Sequence, residues 1–176
     1  ITDCSTGAIV FDQPLSPSVV DPLYTAVKAA GMEMLTYQDE VIAATKKANK
    51  YVLHEAFINK MPVVEYDDFV HQVKYPINKC LVVGDPAPLH DLEMRLVESF
   101  KGRMDAYRSA GFFLECVPPG IDKARSLARL FEILSISKDE VIGLVKERDF
   151  DVLIVLGAGD LDNQVPQIAN IIEAKQ

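Results

Sequence analysis

The stretch K-C-L-V-V-G-D-P-A-P-L, residues 79–89, decides the fold class of this chain. Its apolar run, residues 80–83, has the length and composition of a buried strand. Asp85 and Pro86 follow the run; Asp is a frequent helix N-cap, and Pro is favoured at the first helical position. Apolar residues then recur at helical spacing up to Phe100, shortly before Gly102. The stretch therefore predicts a strand and a helix joined at Asp85.

The sequence on both sides of this unit predicts further strands that alternate with helices. Residues 103–108 and 112–117 are strand candidates separated by Ser-Ala-Gly, which indicates an antiparallel hairpin. Asp122 precedes a helical pattern that reaches Leu134. The other predicted elements are strands at residues 7–11, 32–37 and 40–44, a helix from Ser16 to Gly31, and a helix over residues 47–60. This order predicts an α/β (α+β) fold, an open mixed sheet with helices packed mainly on one face.

The last part of the chain predicts one more strand, turn and helix. Residues 151–156 are apolar, residues 157–160 read G-A-G-D, and residues 165–174 have a helical pattern; a further helix is predicted from Ser137. Asp160 and Asp162 are candidate ligands for a divalent cation, since carboxylate oxygens bind such ions. The alternative is that both carboxylates are solvated groups in a tight turn.

Composition and charge exclude several classes of function. The chain has 176 residues and a formal net charge of −8, so it lacks the positive field that concentrates nucleic acid. It has neither an uncharged apolar run long enough to span a membrane nor the features of a signal peptide at its start. Its three cysteines are widely spaced, which favours free thiols. We expect a cytoplasmic protein with no nucleic-acid or membrane partner; a homodimer stays open.

Several segments together resemble one enzyme family over about residues 7–142. T-G-A-I-V at residues 6–10, K-C-L-V-V-G-D-P at residues 79–86 and F-F-L-E-C-V-P at residues 112–118, followed by G-I-D-K at residues 120–123, stand in order along the chain. In this order and spacing they resemble the cap domain of haloacid-dehalogenase-like phosphatases of the Cof type. The resemblance implies a specificity cap for a phosphatase acting on sugar phosphates or similar monoesters.

The resemblance also implies roles for individual residues. Lys123 matches the family's lysine that orients phosphate, and Arg108 and Glu115 lie on strands of the sheet that faces substrate in such caps. The family's nucleophile stands in an Asp-x-Asp-Gly-Thr motif, which is absent from this chain. We therefore expect the chain to be inactive alone and to hold no cofactor. With a catalytic core, the resemblance implies a phosphorylated small-molecule substrate and Mg²⁺.

The last 34 or so residues match a different enzyme better. The sequence D-F-D-V-L-I-V-L-G-A-G-D-L-D, residues 149–162, resembles the C-terminus of UDP-N-acetylmuramate–alanine ligase. We therefore predict a cap-like domain at residues 1–142 and a ligase-like tail at residues 143–176, packed into the same domain. The join suggests the hypothesis of a chimeric or engineered, non-enzymatic domain. A third alternative is a complete small phosphatase that uses Lys123 and Asp160 with an unidentified nucleophile.

Overall fold

The computed structural model describes residues 1–137. The chain divides into two compact units, of which unit 2 is Asp12–Gly120 and unit 1 joins Ile1–Phe11 to the residues that follow Gly120. The helix predicted from Ser137, the strand predicted at residues 151–156 and the boundary predicted after residue 142 lie outside the described residues. Within residues 1–137, no helix is both long and apolar enough to cross a membrane.

Unit 2 contains a six-stranded sheet in the order β3-β2-β1-β4-β6-β5. β2 and β3 are parallel, and every other neighbouring pair is antiparallel. The mixed sheet predicted from the sequence is therefore confirmed. The strands are β1 Glu33–Gln38, β2 Val41–Ala44, β3 Val63–Glu65, β4 Cys80–Val83, β5 Asp105–Ala110 and β6 Phe113–Val117.

Helices cover the two faces of this sheet unequally. The helices of unit 2 are α1 Pro17–Ala29, α2 Lys50–Asn59, α3 Phe69–Gln72 and α4 Pro86–Ser99. The first face of the sheet packs against α1, α3 and α4, and its core includes Leu23, Val82 and Leu92. The second face packs against α2, with Val52 beside Leu81. Three of these four helices lie on the first face, which confirms the prediction that helices pack mainly on one face.

The alternation of side chains along each strand produces these two cores. In β4, Val82 belongs to the core of the first face, while Leu81 and Val83 belong to that of the second. All residues of β4 are buried, as expected for a central strand covered on both faces. The apolar run that was used to predict this strand is therefore explained by burial on both sides.

Helix α1 has the boundaries that its sequence predicts. The Ser16 side chain accepts a hydrogen bond from the N–H of Ser18 at the N-terminus. After the helix, Gly31 has a φ of +68°. The N–H of Gly31 bonds to the carbonyl of Lys28 at 3.0 Å, and that of Met32 bonds to the carbonyl of Val27 at 3.1 Å. These two bonds form a Schellman motif, which ends the helix by satisfying its last carbonyls.

The first and last residues of unit 2 lie close together although they are far apart in the sequence. The side-chain amide of Gln13 donates a hydrogen bond to the carbonyl of Pro119 at 3.2 Å. Nearby in the sequence, the N–H of Leu15 donates to the carbonyl of Ile77 at 2.7 Å. The bond from Gln13 joins the two ends of unit 2, and the bond from Leu15 fixes the first of these ends to the segment before β4.

Unit 1 contains the predicted helix that begins after Asp122, but not the strand predicted at residues 7–11. Helix α5 is Lys123–Leu134, and the Asp122 side chain accepts a hydrogen bond from the N–H of Arg125 at 2.7 Å. The strand prediction at residues 7–11 was wrong, because only one bridge forms there, between Thr2 and Ile9. A turn at Gly7, whose φ is +72°, folds this segment back on itself instead.

Other elements differ from the sequence predictions in length or position. The hairpin is confirmed, but β5 extends to Ala110, which pairs with Phe113, so its turn consists of Gly111 and Phe112. Strand β3 and helix α3 were not predicted. They have three and four residues, too few to show a periodic apolar pattern.

Candidate functional site

The structure places the two predicted substrate-binding residues of the hairpin on opposite faces of the sheet. Glu115 pairs with Leu81, whose side chain lies on the second face. Arg108 pairs with Leu114, whose side chain lies on the first face. The Arg108 guanidinium binds the carboxylate of Glu93 on α4 at 2.7 Å. A ligand on the second face of the sheet would therefore contact Glu115 but not Arg108.

The remaining predicted site residues belong to unit 1 or lie outside the described residues. Lys123 is the first residue of α5 in unit 1 and is exposed. Asp160 and Asp162, the predicted metal ligands, lie outside the described residues. Among residues 1–137, no three His, Cys, Asp or Glu side chains are close enough to hold a metal ion.

A polar cluster surrounds Tyr37 on the second face, and Glu115 is its one member that the sequence predicts as a site residue. The Tyr37 hydroxyl donates a hydrogen bond to Oε1 of Glu55 at 2.6 Å. The Asn59 amide donates to the same oxygen at 2.8 Å. Glu55 is only 9% exposed, so these two donors take the place of water at its carboxylate.

The environment of Tyr37 keeps its hydroxyl protonated. Burial is the main cause that raises the pKa of the Tyr37 phenol well above its usual range. The hydrogen bond to Glu55 and the negative charges of Glu55 and Glu115 raise this pKa further. Tyr37 is therefore a fixed hydrogen-bond donor and does not act as a general base near neutral pH.

Lys79 and Glu115 complete the cluster. The ammonium of Lys79 lies 3.8 Å from Oε2 of Glu115 and 5.0 Å from the centre of the Tyr37 ring. The side chain of Lys79 is 33% exposed and that of Glu115 is 17% exposed. We call Tyr37, Glu55, Asn59, Lys79 and Glu115 the Tyr37 cluster. It combines donors, acceptors and an aromatic ring at the edge of the solvent.

The sequence contains part of the signal for this cluster. Strand periodicity places Tyr37 on the same face as Leu35 and places Glu115 on the face opposite that of Leu114. The pairing of β1, β4 and β6, however, depends on contacts between distant parts of the chain. Glu55 reaches the cluster only because α2 packs on the second face, which no local pattern shows.

A second polar group surrounds Asp85 and changes the predicted role of this residue. Asp85 precedes α4, but its side chain makes no capping hydrogen bond. It accepts instead from the Tyr51 hydroxyl at 2.6 Å and the Lys50 ammonium at 3.2 Å. These two contacts lower the pKa of the Asp85 carboxyl. The prediction that Asp85 is the N-cap residue of α4 is therefore confirmed, but its carboxylate binds Tyr51 and Lys50 of α2 instead of a helix N–H.

Comparisons with known proteins identify one broad family. The sequence model of the haloacid dehalogenase-like hydrolases matches residues 1–144. A crystal structure of a haloacid dehalogenase-like hydrolase from Bacteroides thetaiotaomicron is 28% identical, with a TM-score of 0.76 over 98% of this chain and 71% of that one. A crystal structure from Thermotoga maritima is 24% identical, with a TM-score of 0.65 over 77% of this chain and 51% of that one.

Two further similarities are more limited. A sugar phosphatase of haloacid dehalogenase subclass IIB is 11% identical, with a TM-score of 0.57 over 74% of this chain and 48% of that one, and shares the fold. UDP-N-acetylmuramate–L-alanine ligase from Phocaeicola vulgatus is 39% identical over 57 residues, which are 32% of this chain. This chain covers only 10% of that ligase.

Proposed function

This chain belongs to the haloacid dehalogenase-like hydrolase family, and on that premise we propose that it is the specificity cap of a phosphatase for sugar phosphates or similar monoesters. The proposal rests above all on the Tyr37 cluster, which gathers polar side chains on the face of the sheet that carries one helix. The fold shared with a sugar phosphatase supports the choice of substrate class. Such a cap closes over the active site, excludes water and selects the leaving group.

We further propose that the chemical step uses residues of a catalytic core that this chain does not supply. The chain has no Asp-x-Asp-Gly-Thr sequence, so the nucleophilic aspartate and the Mg²⁺ site belong to that core in this proposal. Mg²⁺ bound there would neutralise the charge of the phosphate. Lys123 is the proposed phosphate-orienting residue of this chain. We place the enzyme in the cytoplasm.

The proposal is tested by adding a catalytic core to the purified chain. The core is a fragment of a haloacid dehalogenase-like hydrolase that carries Asp-x-Asp-Gly-Thr and lacks its own cap. With Mg²⁺ present, we expect the chain alone not to hydrolyse an aryl phosphate or a hexose phosphate. Addition of the core should give hexose phosphate hydrolysis that neither component shows alone.

Two controls separate the alternatives. A core whose nucleophilic aspartate is changed to asparagine should give no turnover with the chain. Turnover by the chain alone that is lost in both Lys123→Ala and Asp160→Ala would overturn the proposal and support a complete small phosphatase. A core that gains no hexose phosphate activity from the chain would also contradict the role as a cap.

As a second candidate, we propose that the chain is a chimera of a phosphatase cap and a C-terminal ligase fragment, with no enzymatic activity. The identity of 39% over 57 residues to UDP-N-acetylmuramate–L-alanine ligase supports it. So does the end of the family match at residue 144. Sequencing of the source genome tests this candidate: a single natural reading frame that spans both sides of residue 142 would exclude the chimera, and two separate origins would support it.

A further inference from the structure

In the Tyr37 cluster, the ammonium of Lys79 and the carboxylate of Glu115 lie close together but do not form a direct hydrogen bond. The 3.8 Å between Nζ of Lys79 and Oε2 of Glu115 is longer than the roughly 2.7–2.9 Å of a direct charge-assisted hydrogen bond. An ammonium has three donors and a carboxylate about four lone-pair sites. Both groups are partly exposed. A ligand hydroxyl placed between them could therefore accept from Lys79 and donate to Glu115.

Neighbouring residues hold both the backbone and the ammonium of Lys79 in place. The buried hydroxyl of Thr36 donates a hydrogen bond to the Lys79 carbonyl at 2.8 Å, which holds its backbone. The ammonium lies over the ring of Tyr37, which is itself bound to Glu55 at 2.6 Å. Lys79 therefore loses less conformational freedom on binding a ligand than a free surface lysine would.

The charges of the cluster select among hydroxyl-bearing ligands. Two carboxylates, Glu55 and Glu115, stand against one ammonium, Lys79, and the chain as a whole carries a net charge of −8. An anionic group that a substrate carries in addition to its phosphate would be repelled by this local excess of negative charge. An uncharged hydroxyl would not be repelled.

We propose that Lys79 and Glu115 form a subsite for an uncharged, hydroxyl-bearing leaving group and that this subsite rejects leaving groups with an anionic group of their own. The inference rests on the proposed function, because it assigns the phosphate to the core and the rest of the substrate to the cap. It narrows the substrates to esters of neutral polyols and sugars. Phosphorylated sugar acids and bisphosphates are excluded.

Binding to the full chain tests the subsite without any catalysis. Glucitol and gluconate have carbon chains of equal length and differ in the terminal carboxylate, so they serve as neutral and anionic probes. Each is titrated into the isotopically labelled chain, and the backbone amide signals of Lys79 and Glu115 are followed by NMR. We expect saturable shifts with glucitol and binding of gluconate that is weaker by about tenfold.

Variants distinguish a charge effect from general damage. Glu115→Gln should weaken glucitol binding and reduce the discrimination against gluconate, while Glu115→Lys should reverse the preference. The matched control is Glu93→Gln, which removes a carboxylate from the first face beside Arg108 and should leave both affinities unchanged. Circular dichroism confirms that each variant is folded.

The result of this titration is independent of the phosphatase assay. Absence of saturable shifts with glucitol, or gluconate binding as tight as that of glucitol, overturns the subsite. If the core gains hexose phosphate activity while the subsite test fails, the proposed function stands and the subsite is wrong. If glucitol binds but the core gains no activity, the subsite stands as a polyol site and the proposed function is wrong.

Discussion

Cys80 and Cys116 are directly opposite partners on strands β4 and β6, and neither is exposed to solvent. Both belong to the core of the first face. Burial raises the pKa of the Cys80 thiol to about 12 and holds the pKa of Cys116 well above its ordinary value. The thiolate is the reactive form of cysteine. Both thiols should therefore react slowly, because reagents cannot reach them and because they stay protonated at neutral pH.

We therefore predict that the three thiols react in two separate stages. In the native chain at neutral pH, 5,5′-dithiobis(2-nitrobenzoate) should modify Cys4, which is exposed, while Cys80 and Cys116 react only after addition of guanidinium chloride. Cys4→Ser should remove the first stage and leave the second. Rapid modification of a second thiol in the native chain would contradict the burial of the pair.

Removal of the Tyr37 hydroxyl should destabilise the protein. Tyr37→Phe keeps the ring but leaves the buried carboxylate of Glu55 with fewer donors, so we expect the free energy of unfolding to fall by about 1–3 kcal/mol. Urea unfolding followed by circular dichroism at neutral pH measures it. Tyr51→Phe is the matched control, since its partner Asp85 is largely exposed and can be solvated instead. Equal losses in both variants would contradict this explanation.

The raised pKa of Tyr37 also predicts a dependence of stability on alkaline pH. A phenol whose pKa is higher in the folded than in the unfolded state stabilises the fold fully below the unfolded value of 10.0. Above that value the unfolded state loses its proton first, so the stabilisation falls as the pH rises. The difference in urea midpoint between the wild type and Tyr37→Phe should be constant up to about pH 10 and shrink above it. A difference that grew above this pH would mean that the pKa of Tyr37 is lower in the folded than in the unfolded state.

Two glycines should respond differently to the same substitution. Gly31 has a φ of +68° and nothing within 4 Å of an added Cβ, so Gly31→Ala meets only backbone strain. We expect a loss of about 1–2 kcal/mol in the free energy of unfolding. At Gly111, which lacks a positive φ, an added Cβ would make an ordinary contact with Pro86 at 3.7 Å. Gly111→Ala should leave the free energy of unfolding unchanged or raise it slightly when both variants are measured by urea unfolding. A loss as large as that of Gly31→Ala would rule out backbone strain as the cause.

The elements that the sequence predicts well are those with a strong local signal. Ser16 and Gly31 mark the ends of α1 because capping and left-handed backbone depend on a few neighbouring residues. The run at residues 80–83 indicates a strand because burial on both faces makes it apolar throughout. Residues 7–11 have a similar pattern but lack a ladder of partners, so their prediction as a strand was wrong.

The candidate site depends on information that local patterns do not contain. Glu115 was selected from the sequence, and the structure places it on the second face beside Lys79. Arg108 was selected for the same reason, yet the strand register directs it to Glu93 on the first face. Tyr37 and Glu55 come together through the packing of α2, which joins parts of the chain 18 residues apart. Only the tertiary fold therefore defines the Tyr37 cluster.

The hydrogen bond between Gln13 and Pro119 has a consequence for the history of this protein and for its redesign. A segment whose two ends meet can be inserted into a host chain, or removed from it, with little disturbance of the flanking backbone. Residues 12–120 have this geometry. This segment could therefore be exchanged for another whose ends lie equally close together. One recombination event would then change the ligand preference of the host chain, with no stepwise mutation of the sheet.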